Sequence, residues 1–283
     1  MLVSVVITAH DQGELVADAV ASATEQTEPP HAVVVIDDGS TDPRSLAVLD
    51  RIETSGRARV LHQANAGVSA ARNAGIAATE TSLVAVLDGD DQLAPTFLER
   101  TTRLLDEDPE VVAASSWLRM HGAVDAVVRP PGGGVVEFLH RNACPANAVL
   151  RRAAWQAAGG YDETMRDGFE DWDFFLTLLA RGGRAAVVPE PLINYRTAPA
   201  SANVRSMERR LELYGRIIDK HRPLFADHLR EALLGLERRA MDVQARWEDV
   251  ATADPSVPLG EITYGDGGMA AAVRVATRRA AAR

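Results

Sequence analysis

The chain has 283 residues, 46% of them hydrophobic, and 40 Asp and Glu against 30 Lys and Arg give a formal net charge of −10. That balance speaks against a polyanionic partner such as nucleic acid, and a single cysteine, Cys144, excludes an internal disulfide framework and a cysteine-rich metal site. No apolar run approaches the roughly 20 residues that span a bilayer, and the opening MLVSVVITAHDQG has no basic region ahead of its apolar run, so a soluble cytoplasmic protein with at most peripheral membrane contact is expected.

From the start, short β-branched runs alternate with helix-length amphipathic segments, the pattern of a mostly parallel sheet with crossover helices. Leu2 to Thr8, Ala32 to Ile36, Arg57 to His62 and Ser82 to Leu87 are predicted strands, and Glu14 to Thr24 repeats apolar residues at helical spacing. Asn65-Ala66-Gly67 predicts a turn, followed by a helix to Ala78 with Ser69, Ala70, Ala71 and Ala74 as its small face. Pro95 opens a helix carrying Phe97, Leu98, Leu104 and Leu105, which Asp108-Pro109 ends. Val111 to Trp117 and Val124 to Val128 read as further strands, and Pro130 to Gly134 reads as a mobile loop. The pattern then becomes α+β. Ala146 to Leu150 precedes a short helix, Arg151 to Ala158, closed by Gly159-Gly160; a second helix, Asp171 to Arg181, is closed by Gly182-Gly183.

Beyond Ser201 the chain turns helical and charged. Met207, Leu211, Tyr214 and Ile218 form one predicted stripe, and Leu229, Leu233, Leu236, Ala240, Val243 and Trp247 a second. Packing of both stripes on the sheet domain is the expectation, with a homodimer seam as the alternative. The Ala-rich end, with Arg274, Arg278, Arg279 and Arg283, is expected as a frayed or solvated helix rather than a membrane-surface one. The domain reading is therefore 1–201 for the sheet domain, 202–250 for a helical extension and 251–283 for a flexible tail.

Ligands of open parallel sheets bind beyond the carboxyl ends of the strands. Three such ends carry polar runs: Thr8-Ala9-His10-Asp11, Asp37-Asp38-Gly39-Ser40-Thr41-Asp42 and Asp88-Gly89-Asp90-Asp91. Taken alone, the second is a turn and helix cap. The third is harder to dismiss, because adjacent carboxylates repel and need a cation or strong donors to stay ionised together. Mg²⁺ or Mn²⁺ is the natural counter-charge, since it takes oxygen ligands and leaves positions for a nucleotide diphosphate. A phosphoacceptor receiver domain also combines paired acids with such a sheet, but it leaves the second half of the chain without a task. The first strand is followed by HDQGE rather than a glycine fingerprint, which speaks against a dinucleotide oxidoreductase.

In order, TAHD at the end of strand one, VVVIDDGSTD, NAGVSAARNAGI, LVAVLDGDDQLAP, GGYDETM and GFEDWDFFLTLLARG resemble the inverting family 2 glycosyltransferases of the GT-A fold. The likeness covers about Met1 to Ser201. It implies an α/β fold of GT-A type, with a mostly parallel nucleotide-binding sheet flanked by helices and a C-terminal helical extension. It also implies a nucleotide-sugar donor, UDP-like, and a glycan, lipid-linked or small-molecule acceptor. By the family pattern Thr8, His10 and Asp38 line the nucleoside pocket, with Asp38 accepting from the base and His10 stacking on it. Asp88-Gly89-Asp90 stands at the metal motif; Asp90 and Asp91 are expected at the ion, and Asp88 and Asp90 at the donor. Arg72 either contacts phosphate or forms an internal ion pair with a strand-end acid. Glu170-Asp171 matches the catalytic pair: Asp171 as general base, Glu170 orienting the acceptor, and Trp172 as either a sugar platform or core. The family's histidine after Leu192-Ile193-Asn194-Tyr195-Arg196 is absent, the stretch reading Thr197-Ala198-Pro199-Ala200-Ser201, so Ser201, Arg196 or water stands in or the ion is held more weakly. An inactive relative that only binds nucleotide is the alternative to an enzyme.

Overall fold

A computed structural model describes residues 1–198, 202–260, 262–263 and 265–282. The chain divides into two compact units, Met1–Asp227 and His228–Arg283.

The first unit begins with β1 (Val3–Ala9), α1 (Leu15–Thr24), β2 (Ala32–Asp38), α2 (Pro43–Ser55), β3 (Arg59–Gln63), α3 (Val68–Ala77) and β4 (Leu83–Asp88). It continues with β5 (Gln92–Leu93), α4 (Phe97–Glu107), β6 (Val111–Gly122), β7 (Ala126–Val128), α5 (Val135–Phe138), β8 (Val149–Arg151), α6 (Arg152–Ala158), α7 (Glu170–Leu179) and β9 (Arg184–Thr197). Three helices close it: α8 (Ala202–Glu208), α9 (Arg210–Lys220) and α10 (Arg222–Asp227). The strands form one sheet in the order β3-β2-β1-β4-β8-β6-β9-β5, with β7 on β6. The β3-β2-β1-β4 half is parallel, as the alternation of runs predicts, whereas β8 runs antiparallel to both β4 and β6.

Every residue of β1 is buried, so its uninterrupted apolar run reflects cover on both faces. The Asp37 to Asp42 stretch does supply the cap its composition suggests: Asp42 accepts from the Ser45 N–H, and Pro43 opens α2. On the opposite face α3 lies close to the sheet. A Cβ on Gly75 would sit 2.2 Å from Val6 Cγ1, so only glycine permits that approach. Arg72, one turn earlier on α3, is thereby held over the strand ends.

Several expectations need correction. The 130–134 loop is tied down rather than mobile: Gly132 N–H donates to Ala143 O at 2.9 Å, and Gly133 and Ala185 exchange both backbone bonds. In the first C-terminal stripe Leu211 is 88% exposed, and Leu213 and Ile217 are the buried pair. The reason is a helix break at Arg209, which ends the register that Met207 began. The compact first unit also runs on through α10, past the expected boundary at Ser201.

The second unit consists of α11 (Leu229–Ala253) and α12 (Gly268–Ala281). The expected tail is a docked helix, not a frayed one. Arg274 forms a two-pronged pair with Glu248 at 2.9 and 2.6 Å, and Arg279 donates to the Ala251 carbonyl at the end of α11. Ala251, Ala271, Ala272 and Val275 are buried in this pair, while Leu229, Leu233, Leu236 and Val243 are exposed. Arg283 lies outside the described residues.

Candidate active site

Register brings the strand ends together. Thr8 lies opposite Asp88 on β4, and its neighbour Ala9 lies opposite Asp37 on β2. The Thr8 hydroxyl reaches Asp88 Oδ1 at 3.4 Å. His10 Nδ1 lies 3.0 Å from the Asp38 carbonyl, and the ring keeps 47% of its surface open, which leaves a face for a stacking group. Asp38 itself is 5% exposed. Its carboxylate accepts from Gln63 Nε2 at 2.7 Å and from the Ala66 and Gly67 N–H groups, both at 2.8 Å. Asp38 therefore shapes the loop that leads into α3 before it can meet any ligand.

Arg72 is 2% exposed and joins two motifs 82 positions apart in its partners: Nη2 to Asp88 Oδ1 at 2.8 Å and Nη1 to Glu170 Oε1 at 2.9 Å. Burial works against its charge, and the carboxylates of Asp88 and Glu170 outweigh that and raise its pKa. Arg72 thus forms an internal ion pair with a strand-end acid, Asp88.

The acidic turn after β4 divides its carboxylates. Asp91, 1% exposed, accepts from Asn147 Nδ2 at 2.6 Å and from the Arg196 N–H at 2.9 Å, so both its oxygens are engaged by the fold. Burial, then the Asp88 charge, pushes its pKa up to about 8. Asp90 is half-buried, and burial followed by Asp88 raises its pKa while Arg196 lowers it. Among the described residues no group of three His, Cys, Asp or Glu side chains is gathered for a metal. The donor set fits a hard divalent ion held from the protein side through Asp90, with its other positions left to diphosphate and water. Asp91 fits that role less well than expected, because it is almost wholly buried and both its oxygens already accept from Asn147 and β9. Ser201, the other candidate for the missing histidine, lies outside the described residues.

The second acidic stretch opens α7. Gly168 has φ +112° and Phe169 φ +66°, so a left-handed turn aims the first turn of the helix. Asp171 Oδ1 accepts from the Trp172 N–H at 2.7 Å, and Oδ2 from Asn142 Nδ2 at 2.8 Å. The residue keeps partial exposure while protein surrounds its carboxyl group, and burial, then Glu170, pushes its pKa up to about 7 against the pull of Arg72. That value suits a proton acceptor working near neutral pH. Trp172 is not available as a sugar platform. It is 2% exposed, donates Nε1–H to Phe138 O at 2.6 Å and stacks on Tyr214 with ring centroids 5.1 Å apart. Asn142 and Asn147 escaped the sequence reading; irregular loop asparagines carry no periodic signal.

A sheet of this order, with acidic strand ends facing a carboxylate pair on a following helix, defines the GT-A class of nucleotide-sugar-handling folds. Residues 4–132 match the model of Glycosyl transferase family 2. The chain is 32% identical over 207 residues to the succinoglycan biosynthesis protein ExoU of Rhizobium meliloti, covering 66% of this chain and 59% of the relative. It is 35% identical over 114 residues to the uncharacterized glycosyltransferase YibD of Escherichia coli, covering 40% of this chain and 33% of that one. The chain thus spans less than two thirds of either relative. Among solved structures, TarS 1-349 of S. aureus in complex with UDP-GlcNAc matches with a TM-score of 0.60 at 14% identity, over 99% of this chain and 89% of that one. The mannosyltransferase PcManGT of Pyrobaculum calidifontis, in complex with GDP-Man and Mn²⁺, matches with a TM-score of 0.60 at 20% identity, over 99% and 80%. These two likenesses establish the fold. Among the described residues no helix is long and apolar enough to cross a membrane.

Proposed function

We propose that the protein is a metal-dependent glycosyltransferase that moves a sugar from a nucleotide diphosphate donor, UDP-linked in the first instance, to an acceptor hydroxyl with inversion at the anomeric carbon. The observation that carries this reading is the buried Arg72 bridge, which ties the Asp88 to Asp91 turn to the Glu170-Asp171 pair. Donor-side and acceptor-side acids are thereby kept in one frame.

In this reading Thr8 and the open face of His10 receive the nucleoside, with Asp38 holding the loop that borders it. Asp90 holds Mn²⁺ or Mg²⁺, and that ion, when bound, offsets the charge that grows on the departing diphosphate. Asp88, kept in place by Arg72 and Thr8, lines the donor side. Asp171 removes the acceptor proton as the hydroxyl oxygen forms its bond, since an alcohol is a poor nucleophile until that proton leaves. Glu170, paired with Arg72, borders the acceptor. Asp171 acting as base on the acceptor hydroxyl, rather than as a nucleophile toward the sugar, corresponds to direct displacement and hence inversion. A polysaccharide acceptor is the first to try, given the process named for ExoU; lipid-linked and small-molecule acceptors follow. A cytoplasmic site of action, peripheral to the membrane where the acceptor is lipid-linked, belongs to the same proposal.

A thermal-shift panel tests it. UDP and GDP, each with and without Mn²⁺, are added to the intact chain, because a ligand that binds only the folded state raises the unfolding midpoint. A metal-dependent rise with one nucleotide is expected; no rise with any nucleotide contradicts the proposal.

A further inference from the structure

The irregular stretch of residues 139–148, between α5 and β8, is pinned by several other elements. Tyr214 OH of α9 donates to Leu139 O at 2.5 Å, Gly132 N–H to Ala143 O at 2.9 Å, Ser115 Oγ of β6 to Asn147 O at 2.6 Å, and Val86 N–H of β4 to Ala148 O at 2.9 Å. From this frame two asparagines reach the two acidic motifs. Asn147 accepts from the Asp88 N–H at 3.0 Å and donates to Asp91 at 2.6 Å; Asn142 donates to Asp171 Oδ2 at 2.8 Å. The Asn142 amide has its oxygen toward the Cys144 N–H, at 3.5 Å, so its amino group is the end that faces the carboxylate.

We infer that Asn142 is a positioning residue for the reaction: it fixes the rotation of the Asp171 carboxyl group and favours its ionised form, an inference that rests on Asp171 being the base. An amide N–H cannot leave its proton on the carboxylate, so it orients Oδ2 without competing for the proton taken from the acceptor. With Trp172 N–H on Oδ1 and Asn142 on Oδ2, each oxygen has one fixed donor and keeps a lone pair for the incoming hydroxyl. The groups that face Asp171 are Glu170 of its own helix, Arg72 of α3, Tyr161 ahead of α7 and Cys144 of the pinned stretch. Glu170 opposes ionisation and Arg72 favours it, while burial keeps the Tyr161 phenol and the Cys144 thiol neutral. Since Arg72 is already shared between Asp88 and Glu170, Asn142 is the side-chain donor given to Asp171 itself.

The test is a ¹³C carboxyl NMR titration of Asp171, its resonance assigned by its loss in Asp171→Asn. A hydrogen bond to a charged group is worth about 1.5–3 kcal/mol, so Asn142→Ala should raise the midpoint by at least about one pH unit. The isosteric Asn142→Asp, which keeps the shape and adds a like charge, should raise it further and decides the matter if the alanine variant does not fold. A role confined to local packing predicts an unmoved midpoint in the folded variants, and that result, or a fall, overturns the inference. Failure of the underlying reading looks different: there Asp171→Asn retains release of nucleoside diphosphate from the donor, whatever the titration shows.

Discussion

At the end of β4 three carboxylates fall within four positions, and at the start of α7 two fall side by side; one guanidinium, Arg72, serves a member of each group. The remaining acids are treated differently. Asp91 accepts from Asn147 and β9, and Asp90 is the acid of this turn proposed to meet a counter-charge. Asp171 also receives two N–H donors, yet burial and the neighbouring Glu170 keep its proton affinity near neutrality. Residue type is the same in both places, and in the proposed reading the partners decide whether a carboxylate holds the fold, waits for a cation or takes a proton.

The comparison breaks most visibly at Asp171. Asp171→Asn keeps the shape and one acceptor oxygen but removes the proton-accepting carboxylate, so release of nucleoside diphosphate should fall about 10²–10⁴-fold with donor affinity unchanged. Steady-state rates and donor binding, measured side by side, check it. Next in size is the shared cation. Arg72→Met leaves Asp88 and Glu170 without their buried partner, and removal of one member of a buried pair costs about 3–5 kcal/mol. Urea unfolding should register that loss; a change below about 1 kcal/mol would mean that the two acidic regions are not joined through Arg72.

A smaller effect concerns pH. The pKa of Asp171 is raised from 3.8 to about 7 on folding, so across that window the unfolded chain has released a proton that the folded chain retains. Its contribution to stability therefore falls as pH rises from about 3.8 to about 7, and it is a penalty above that. Asp171→Asn should gain stability relative to the parent at pH 8 compared with pH 5, and turnover of the parent should decline below about 7. Urea midpoints at the two pH values and a rate profile test both signs. Smallest is Trp172→Phe. It keeps a ring against Tyr214 and loses one hydrogen bond to Phe138 O, a change of about 1 kcal/mol with transfer nearly intact. A large rise in acceptor KM would restore the sugar-platform reading.

The parallel half of the sheet was legible because uninterrupted apolar runs such as Val3–Ala9 have no other place to go. The acidic ends were legible because like charges after a buried run are costly without a partner. What the partner is was not legible. Asn142 meets Asp171 across 29 positions and Asn147 meets the Asp88 backbone across 59, distances at which an irregular loop gives no spacing signal. Trp172 shows the same limit, since Phe138 and Tyr214, from two other elements, decide that its ring faces inward. Helix stripes failed where a register ended unseen, as at Arg209, and the basic end was misread because Arg274 and Arg279 bond to α11.

The division of labour between the two acidic regions is tested most directly by calorimetric titration of UDP and GDP, with and without Mn²⁺, into the parent chain, Asp90→Ala and Asp171→Asn. The parent should bind one nucleotide in a Mn²⁺-dependent manner, Asp171→Asn should bind it equally well, and Asp90→Ala should lose the metal-dependent part. Unchanged Mn²⁺-dependent binding in Asp90→Ala, or loss of binding in Asp171→Asn, would contradict it.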